Sequence, residues 1–238
     1  MNQENIFKNR VFIKLEGEIE DINDLKRTLT SKEWEIVEME NIHYLTSQLI
    51  DNLVDKTEIK KLSWPFLALL NGGASIANHL HKQVTTNSYI RYDEQGLKNI
   101  VISLEPFEFR LPLKTNNYEI PSNDKNQSLV ETWVEKAQRH DNIKDILFFF
   151  KEVSWINLYK IYEIIRDDVG DEVQLFKDFP NHKSNIKKFT NIANNRNAIG
   201  EKARHGSKKN AAPSYKLSIE EAHSIVRNLF EEWANTKE

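Results

Sequence analysis

The spacing of apolar residues changes once along the chain, and this change constrains the fold more than any other feature. In the first part, apolar residues alternate with others in short runs such as VFIKLEG at 11–17, which is typical of half-buried strands. In the last part they recur at three- and four-residue intervals, which is typical of amphipathic helices. The stretch between them, KTNNYEIPSNDKNQS at 114–128, is polar and has no periodicity, which indicates a linker. The sequence therefore predicts an α+β protein with a mixed, β-containing domain over 1–114, a linker over 115–128 and an all-helical domain over 129–238.

The first domain is predicted to contain both strands and helices. Besides VFIKLEG, the run EWEIVEME at 33–40 favours a strand. The three- and four-residue apolar spacing over 42–53 predicts a helix. SWPFLALLNGGASIANHL, residues 63–80, predicts a second helix, with Ser63 as its N-cap and an interruption at Gly72–Gly73.

A hairpin and a well-delimited last helix complete the predicted elements. SYIRYDEQGLKNIVISLEPFEFRLPL, residues 88–113, predicts a hairpin that turns near Gly96, with a further alternating run over 107–111. Near the other end, Ser218 and Glu221 have the spacing of a capping box, in which each side chain accepts from the other residue's backbone N–H. A continuous apolar face follows them, so a helix is expected to start there.

Composition excludes several classes of site. None of the 238 residues is cysteine, so disulfides, thiolate nucleophiles and Cys-based zinc or iron–sulfur centres are excluded. The longest apolar runs, WPFLALL and ILFFF, are far shorter than the roughly 20 residues that cross a bilayer. The amino terminus, MNQENIFKNR, lacks the apolar core of a signal peptide. We therefore expect a cytoplasmic protein without a membrane partner.

The charge of the chain is unevenly distributed. Residues 183–216 contain nine Lys or Arg residues and one acidic residue, Glu201, so this basic segment has a formal charge of +8 in a chain whose total is −3. A basic segment on an acidic body favours a polyanionic partner, or an electrostatic contact within the protein.

The centre of this segment, NAIGEKARHGSKKN at 197–210, is predicted to connect two packed helices. Cations on such a connection bind phosphates without reading base sequence. The candidate binding residues are Arg196, Lys202, Arg204, Lys208 and Lys209, with Asn194 and Gly200 in structural roles. The alternative is a solvated loop, or one that pairs with carboxylates of the same chain. The function that we expect is a non-enzymatic binding module that contacts RNA, DNA or an acidic protein surface.

Catalysis is the alternative function. Helical ribonucleases of the HEPN type use an Arg and a His a few residues apart to polarise the scissile phosphate and move a proton. Here Arg204 and His205 are adjacent, and eight residues separate Arg196 from His205. A metal-independent, HEPN-like ribonuclease would use Arg204 and His205, with Arg196 as a further candidate to act on the phosphate and Asn194 orienting them. The Arg-His-Gly triplet of the histidine phosphatases instead follows a buried strand near the amino terminus, and that context is missing here.

Two polar stretches resemble metal sites. HLH at 79–81 would place both imidazoles on one side of a strand, but the predicted helix there points them in different directions. RDDVGDEV at 166–173 gathers carboxylates around a turn without the spacing of an EF-hand. We interpret both as ordinary helix-end residues, and we expect no cofactor and no metal.

One resemblance covers roughly the last half of the chain. FTNIANNRNAIGEKARHG at 189–206, followed by LSIEEAHSIVRNLFEEW at 217–233, resembles the carboxyl-terminal segment of a loosely defined set of uncharacterised bacterial proteins. Those proteins have an Ala-Asn pair, a Gly and an Ala-Arg-His before a final amphipathic helix, and SWINLYKIYEIIRDDVG at 154–170 resembles their preceding helix. The matching positions are Asn194, Gly200, Arg204 and His205. The resemblance implies a discrete helical module, with bacterial stress or phage defence as its setting, and brings no established activity.

Overall fold

The first part of the chain forms an antiparallel sheet and the second part is helical, which confirms the α+β class. The computed structural model describes residues 7–30, 33–102, 128–207, 209 and 211–238. The described strands are β1 (Val11–Lys14), β2 (Trp34–Met39), β3 (Ile42–Ser47), β4 (Ser88–Tyr92) and β5 (Lys98–Ile102). They form one sheet in the order β2-β3-β1-β4-β5, with every neighbouring pair antiparallel.

The central strand β1 buries both of its faces. Val11 and Ile13 belong to the main core, together with side chains of the helices that cover this side of the sheet. Phe12 points to the opposite side, where it packs with Tyr44 and Ile90 in a separate apolar cluster. Because successive side chains of a strand alternate between faces, a run of consecutive apolar residues fits a strand that is covered on both sides.

The helices described are α1 (Ile19–Thr28), α2 (Gln48–Asp51), α3 (Lys56–Ala77), α4 (Leu129–Arg139), α5 (Asp141–Phe150), α6 (Trp155–Val169), α7 (Glu172–Asp178), α8 (Lys183–Ala193), α9 (Arg196–Ile199) and α10 (Ile219–Ala234). The predicted capping box at the start of α10 is confirmed, because the Ser218 hydroxyl accepts from the Glu221 N–H and the Glu221 carboxylate accepts from the Ser218 N–H. The predicted hairpin is confirmed as β4 and β5, while the further run over 107–111 lies outside the described residues.

The predicted helix over 42–53 is wrong. Residues 42–47 form β3, and only the short helix α2 follows. Glu40 and Asn41 both have positive φ, 53° and 62°, which is the geometry of a two-residue turn between β2 and β3. Leu45 lies opposite Ile13 on β1 and Ile36 on β2. Because β3 is buried between two strands, its apolar residues do not alternate strictly, and their spacing imitates that of a helix.

The predicted interruption at Gly72–Gly73 is also wrong, as is the predicted start at Ser63. α3 runs without a break from Lys56 to Ala77, and Asp55 caps it by accepting from the Thr57 N–H. Ser63 lies inside the helix, where its hydroxyl donates to the Ile59 carbonyl oxygen. The two glycines serve close packing instead: a β-carbon at Gly73 would lie 2.5 Å from Val130 of α4.

The main core is continuous between the sheet and the helices. Its buried members include Ile13 of β1, Leu70 of α3, Leu147 of α5 and Phe230 of α10. The helix α3 therefore packs on the first part of the chain and also on α4 and α5. The predicted linker, 115–128, lies outside the described residues except for its last residue, so the predicted domain boundary stays a prediction.

Candidate functional site

The centre of the basic segment is folded onto the end of α8. Asn195 caps the short helix α9 by accepting from the N–H groups of Asn197 and Ala198, and its amide donates to the Ala211 carbonyl oxygen at 2.7 Å. A 3₁₀ turn follows at Gly200–Lys202. Gly200 has φ of 65°, in the region that favours glycine.

Arg204 is an exposed residue whose side chain is nevertheless held by other groups of the chain. Its main-chain N–H donates to the Ala193 carbonyl oxygen at 2.9 Å, which ties the residue to the end of α8. Its Nη2 donates to Glu163 Oε1 of α6 at 3.0 Å. Its guanidinium carbon lies 4.6 Å from the centre of the Tyr159 ring, a cation–π distance. A carboxylate and an aromatic ring of the same chain therefore already engage the Arg204 charge.

Two further predicted residues join Arg204. His205 is exposed, and its Nε2 lies 3.1 Å from Arg204 Nη1. Because guanidinium nitrogens only donate, Nε2 accepts in this contact and the ring hydrogen is on Nδ1. Asn194 donates from Nδ2 to the Tyr159 hydroxyl at 3.1 Å, and so supports the ring beneath Arg204. We call Tyr159, Glu163, Asn194, Arg204 and His205 the Arg204 cluster.

Arg196 is held apart from this cluster by its own contact. Its Nη1 donates to the Gly206 carbonyl oxygen at 3.1 Å, so the guanidinium stabilises the main chain of the connection. In the described part of the chain, no contact joins Arg196 to His205. The Arg and His of the ribonuclease hypothesis that lie together are therefore the adjacent pair, Arg204 and His205.

Most lysines of the basic segment lack the side-chain contacts that the two arginines form. Five of them are exposed and form no ion pair or side-chain hydrogen bond with any described residue; they are Lys183, Lys188, Lys202, Lys209 and Lys216. Lys187 lies over the ring of Phe176, with Nζ 5.8 Å from its centre. Lys208 lies outside the described residues. Among the described cations of the segment, the exposed ammonium groups without an ion pair are therefore those of lysines.

Two of these lysines meet at one groove between α8 and the start of α10. The groove has a volume of about 550 Å³, and its walls include Lys188 of α8, Lys216 and Tyr215. Asn191 of α8 donates to the Tyr215 hydroxyl at 2.9 Å, which holds the connection against the helix. Glu220 and Glu221 also border the groove. Glu220 is exposed, whereas the Glu221 carboxylate accepts from the main chain of the capping box.

The sequence analysis interpreted His81 as an ordinary helix-end residue, and it did not predict the burial of this side chain or the two carboxylates beside it. His81 follows α3, and its side chain is fully buried beside Asp21 and Asp24 of α1. By contrast, His79 is exposed. The signal available in the sequence was the three-residue spacing of Asp21 and Asp24, which puts them on the same helix face as neighbours.

The acidic stretch at 166–173 has structural roles. Asp171 caps α7 by accepting from the Gln174 N–H at 2.8 Å. Asp168 accepts from the indole nitrogen of Trp233 at 3.0 Å and forms an ion pair with Lys237. The two Asp168 contacts attach the end of α6 to the end of α10.

No protein-family model, curated protein or solved structure matches the chain. Among the described residues, no helix is long and apolar enough to span a bilayer. Function is therefore inferred from the chemistry of the described side chains. The arrangement around α8 offers ammonium groups without ion pairs beside an aromatic ring. In the Arg204 cluster, the guanidinium lies within hydrogen-bond distance of an imidazole and of a carboxylate.

Proposed function

We propose that the protein binds single-stranded nucleic acid through the lysines around α8 and the start of α10. The observation that carries this proposal is that Lys188 of α8 and Lys216 of the connection before α10 line the same groove beside Tyr215. Proteins that bind single strands without sequence preference combine cationic grooves with aromatic rings on which bases stack.

The absence of ion pairs at the exposed lysines supports the same proposal. The five exposed lysines have no carboxylate partner among the described residues, so a phosphate does not have to break an ion pair to reach them. Arg204 is already paired with Glu163, so it contributes less than the lysines to nucleic-acid binding. The rest of the chain is acidic, which favours an approach of the polyanion through this basic surface.

Salt dependence of binding provides the test. For single strands, each phosphate contact contributes about 0.7 to the slope of log affinity against log salt concentration. Fluorescence anisotropy with labelled oligouridylate over a sodium chloride series is expected to give clear salt dependence for the wild type. The double variant Lys188→Gln/Lys216→Gln is expected to lose about tenfold in affinity or more, and about 1.4 from the slope.

A matched double variant controls for net charge. Lys61 and Lys98 are exposed, lie on α3 and β5, and form no ion pair with described residues. Lys61→Gln/Lys98→Gln removes the same charge and is expected to keep the affinity within about twofold of the wild-type value. Salt screens the interaction between these distant exposed charges and the bound nucleic acid. An equal loss in both double variants, or no salt-dependent binding by the wild type, would refute the proposed surface.

A metal-independent ribonuclease is the second candidate, favoured by the contact between His205 and Arg204 next to Glu163. An exposed imidazole beside a guanidinium combines a group that moves protons with one that holds a phosphate. Labelled RNA is incubated in the presence of EDTA with the wild type and with His205→Ala and Arg204→Ala. Cleavage that His205→Ala abolishes while RNA binding persists supports the enzyme. If the wild type binds RNA but does not cleave it, the ribonuclease candidate is rejected and only the binding function remains.

A further inference from the structure

A second polar site lies far from the basic segment in the chain, where α1 meets the turn after α3. Asp21 and Asp24 extend from α1, and His81 comes from the turn that follows the α3 C-cap, Asn78. The side chain of His81 is fully buried, whereas that of Asp24 is 23% exposed. The three ligand atoms that these residues offer all lie within 4.8 Å of one another.

The hydrogen bonds of Asn71 fix the tautomer of His81. Asn71 Nδ2 donates to the carbonyl oxygens of Leu67 and Val84, each at 2.9 Å, and its Oδ1 accepts from the Val84 N–H at 2.8 Å. The amide oxygen is therefore the atom that faces His81 Nε2 at 3.0 Å. Because that oxygen can only accept, Nε2 carries the ring hydrogen, and Nδ1 of the neutral ring has a lone pair.

This lone pair faces two carboxylates and has no hydrogen-bond partner in the described residues. Nδ1 is 3.5 Å from Asp21 Oδ1 and 4.0 Å from Asp24 Oδ2, and it is fully enclosed. A buried polar atom without a hydrogen-bond partner is unfavourable, and the two carboxylates beside Nδ1 make its surroundings negative. A proton on Nδ1 would give a charge-assisted hydrogen bond of about 2.7–2.9 Å, which is shorter than either distance.

A bound cation would give Nδ1 a partner and would balance the charge of the two carboxylates beside it. In tetrahedral coordination with bonds of about 2.1 Å, ligand atoms lie about 3.4 Å apart, close to the separation of Nδ1 and Asp21 Oδ1. We propose that Asp21, Asp24 and His81 bind one divalent transition-metal ion of the zinc class, with His81 Nδ1 and one oxygen of each carboxylate as its ligands. An imidazole nitrogen with two carboxylate oxygens suits zinc, whereas magnesium and calcium prefer oxygen alone.

Neighbouring groups already hold the proposed ligands in position. The N–H of Lys82 donates to Asp21 Oδ1 at 2.8 Å, Asn78 Nδ2 donates to Asp24 Oδ2 at 3.1 Å, and Arg27 pairs with the other oxygen of Asp24. Such outer contacts orient ligands and are typical of protein metal sites. Three protein ligands leave further coordination positions for water or an external ligand, on the side where Asp24 is exposed. The ion would join α1 to the turn after α3, and so strengthen the helix layer over the sheet.

Titration of chelator-treated full-length protein with Zn²⁺ and with Co²⁺ tests this inference. Calorimetry is expected to show one Zn²⁺ per chain, and Co²⁺ is expected to give the visible absorption of a low-coordinate nitrogen and oxygen site. His81→Gln keeps an N–H donor for Asn71 but removes the Nδ1 ligand, so binding is expected to be lost. Asp24→Asn, at a partly exposed position, is expected to weaken Zn²⁺ binding by at least about tenfold. His79→Gln, an exposed imidazole two residues away, is the matched control and is expected to bind as the wild type does.

Each alternative outcome is decisive. The proposal fails if the wild type takes up no stoichiometric Zn²⁺, if Mg²⁺ binds equally well, or if His79→Gln loses as much affinity as Asp24→Asn. Circular dichroism checks the fold of each variant, and should His81→Gln not fold, the comparison of Asp24→Asn with His79→Gln decides. Because the Zn²⁺ titrations contain no RNA, failure here does not affect the proposed nucleic-acid surface.

Discussion

A β-carbon on Gly72 would lie 1.9 Å from the main-chain carbonyl oxygen of Leu147. The two residues belong to α3 and α5, and the missing side chain allows the two helix backbones to approach each other this closely. A glycine within a helix costs about 1 kcal/mol relative to alanine. Here that cost is offset by the packing of α3 on the helical part of the chain.

Gly72→Ala is therefore expected to destabilise the protein although it raises helix propensity. The added methyl group meets main-chain atoms, which cannot rotate away, so we expect a loss of about 3 kcal/mol or more in the free energy of unfolding. Urea unfolding followed by circular dichroism measures this loss. Gly206→Ala is the control, because its β-carbon would meet nothing closer than Arg196 Nη1 at 3.8 Å. An unchanged unfolding midpoint for Gly72→Ala would show that the helices are not in such close contact.

The same pair shows which part of the fold the sequence can predict. Local patterns predicted the hairpin of β4 and β5 and the start of α10 at Ser218, because turn residues and capping boxes act within a few residues of chain. The break predicted at Gly72–Gly73 is wrong because their packing partners, Leu147 and Val130, are remote in sequence. The helix predicted over 42–53 is wrong for a similar reason. Residues 42–47 form a buried strand because they pair with β1, which is remote in sequence.

His223 gives a prediction about pH. This residue of α10 is buried against the ring of Phe150, with 5.6 Å between ring centres. Burial lowers the pKa of His223 to about 4, opposed by a hydrogen bond with the backbone of Ser75 and helped by the nearby charges of His79 and Arg227. The folded state therefore binds the proton less tightly than the unfolded state, whose pKa is about 6.5.

The contribution of His223 to stability is complete above about pH 6.5 and is lost as pH falls towards 4, by up to about 3 kcal/mol. Urea unfolding of the wild type and of His223→Gln at pH 7, 5.5 and 4.5 measures the effect. Other titrating groups are the same in both proteins, so the difference between the two curves isolates His223. We expect the wild type to lose stability more steeply than the variant, and parallel curves would contradict the assignment.

The contact between α6 and α10 predicts a contrast between two adjacent aspartates. Asp168 accepts from the indole nitrogen of Trp233, a buried residue, and pairs with Lys237. Asp168→Ala leaves that N–H without its partner, so we expect a loss of about 1–3 kcal/mol in unfolding free energy. Asp167→Ala removes only an exposed ion pair with Arg166 and is expected to cost less than about 1 kcal/mol. Equal effects in thermal unfolding would show that the buried indole contact contributes nothing.

The candidate site was only partly predictable, for a physical reason. Composition located the basic segment, because clustered charge is visible in any window of sequence. The direction of each cation was not visible: Arg204 turns towards Glu163, which is 41 residues away along the chain. The pairing of Arg204 with Glu163 therefore emerges only when α6 packs beside α8, whereas five lysines of the segment form no ion pair with described residues. The contact of Asp21 with His81 depends in the same way on packing between elements remote in sequence.

The Arg204–Glu163 pair predicts that removing one carboxylate strengthens nucleic-acid binding. Glu163→Gln deletes the negative partner of Arg204 and keeps the size of the side chain, so the guanidinium becomes available to a phosphate. Both side chains are partly exposed, so the effect on stability is expected to stay below about 1 kcal/mol. We expect about a threefold gain in affinity for labelled oligouridylate at low salt, which high salt abolishes. Glu94→Gln makes the same charge change at an exposed position on the hairpin turn and is expected to leave the affinity unchanged. A gain of the same size in Glu94→Gln would mean that net charge alone, and not the Arg204 guanidinium, controls binding.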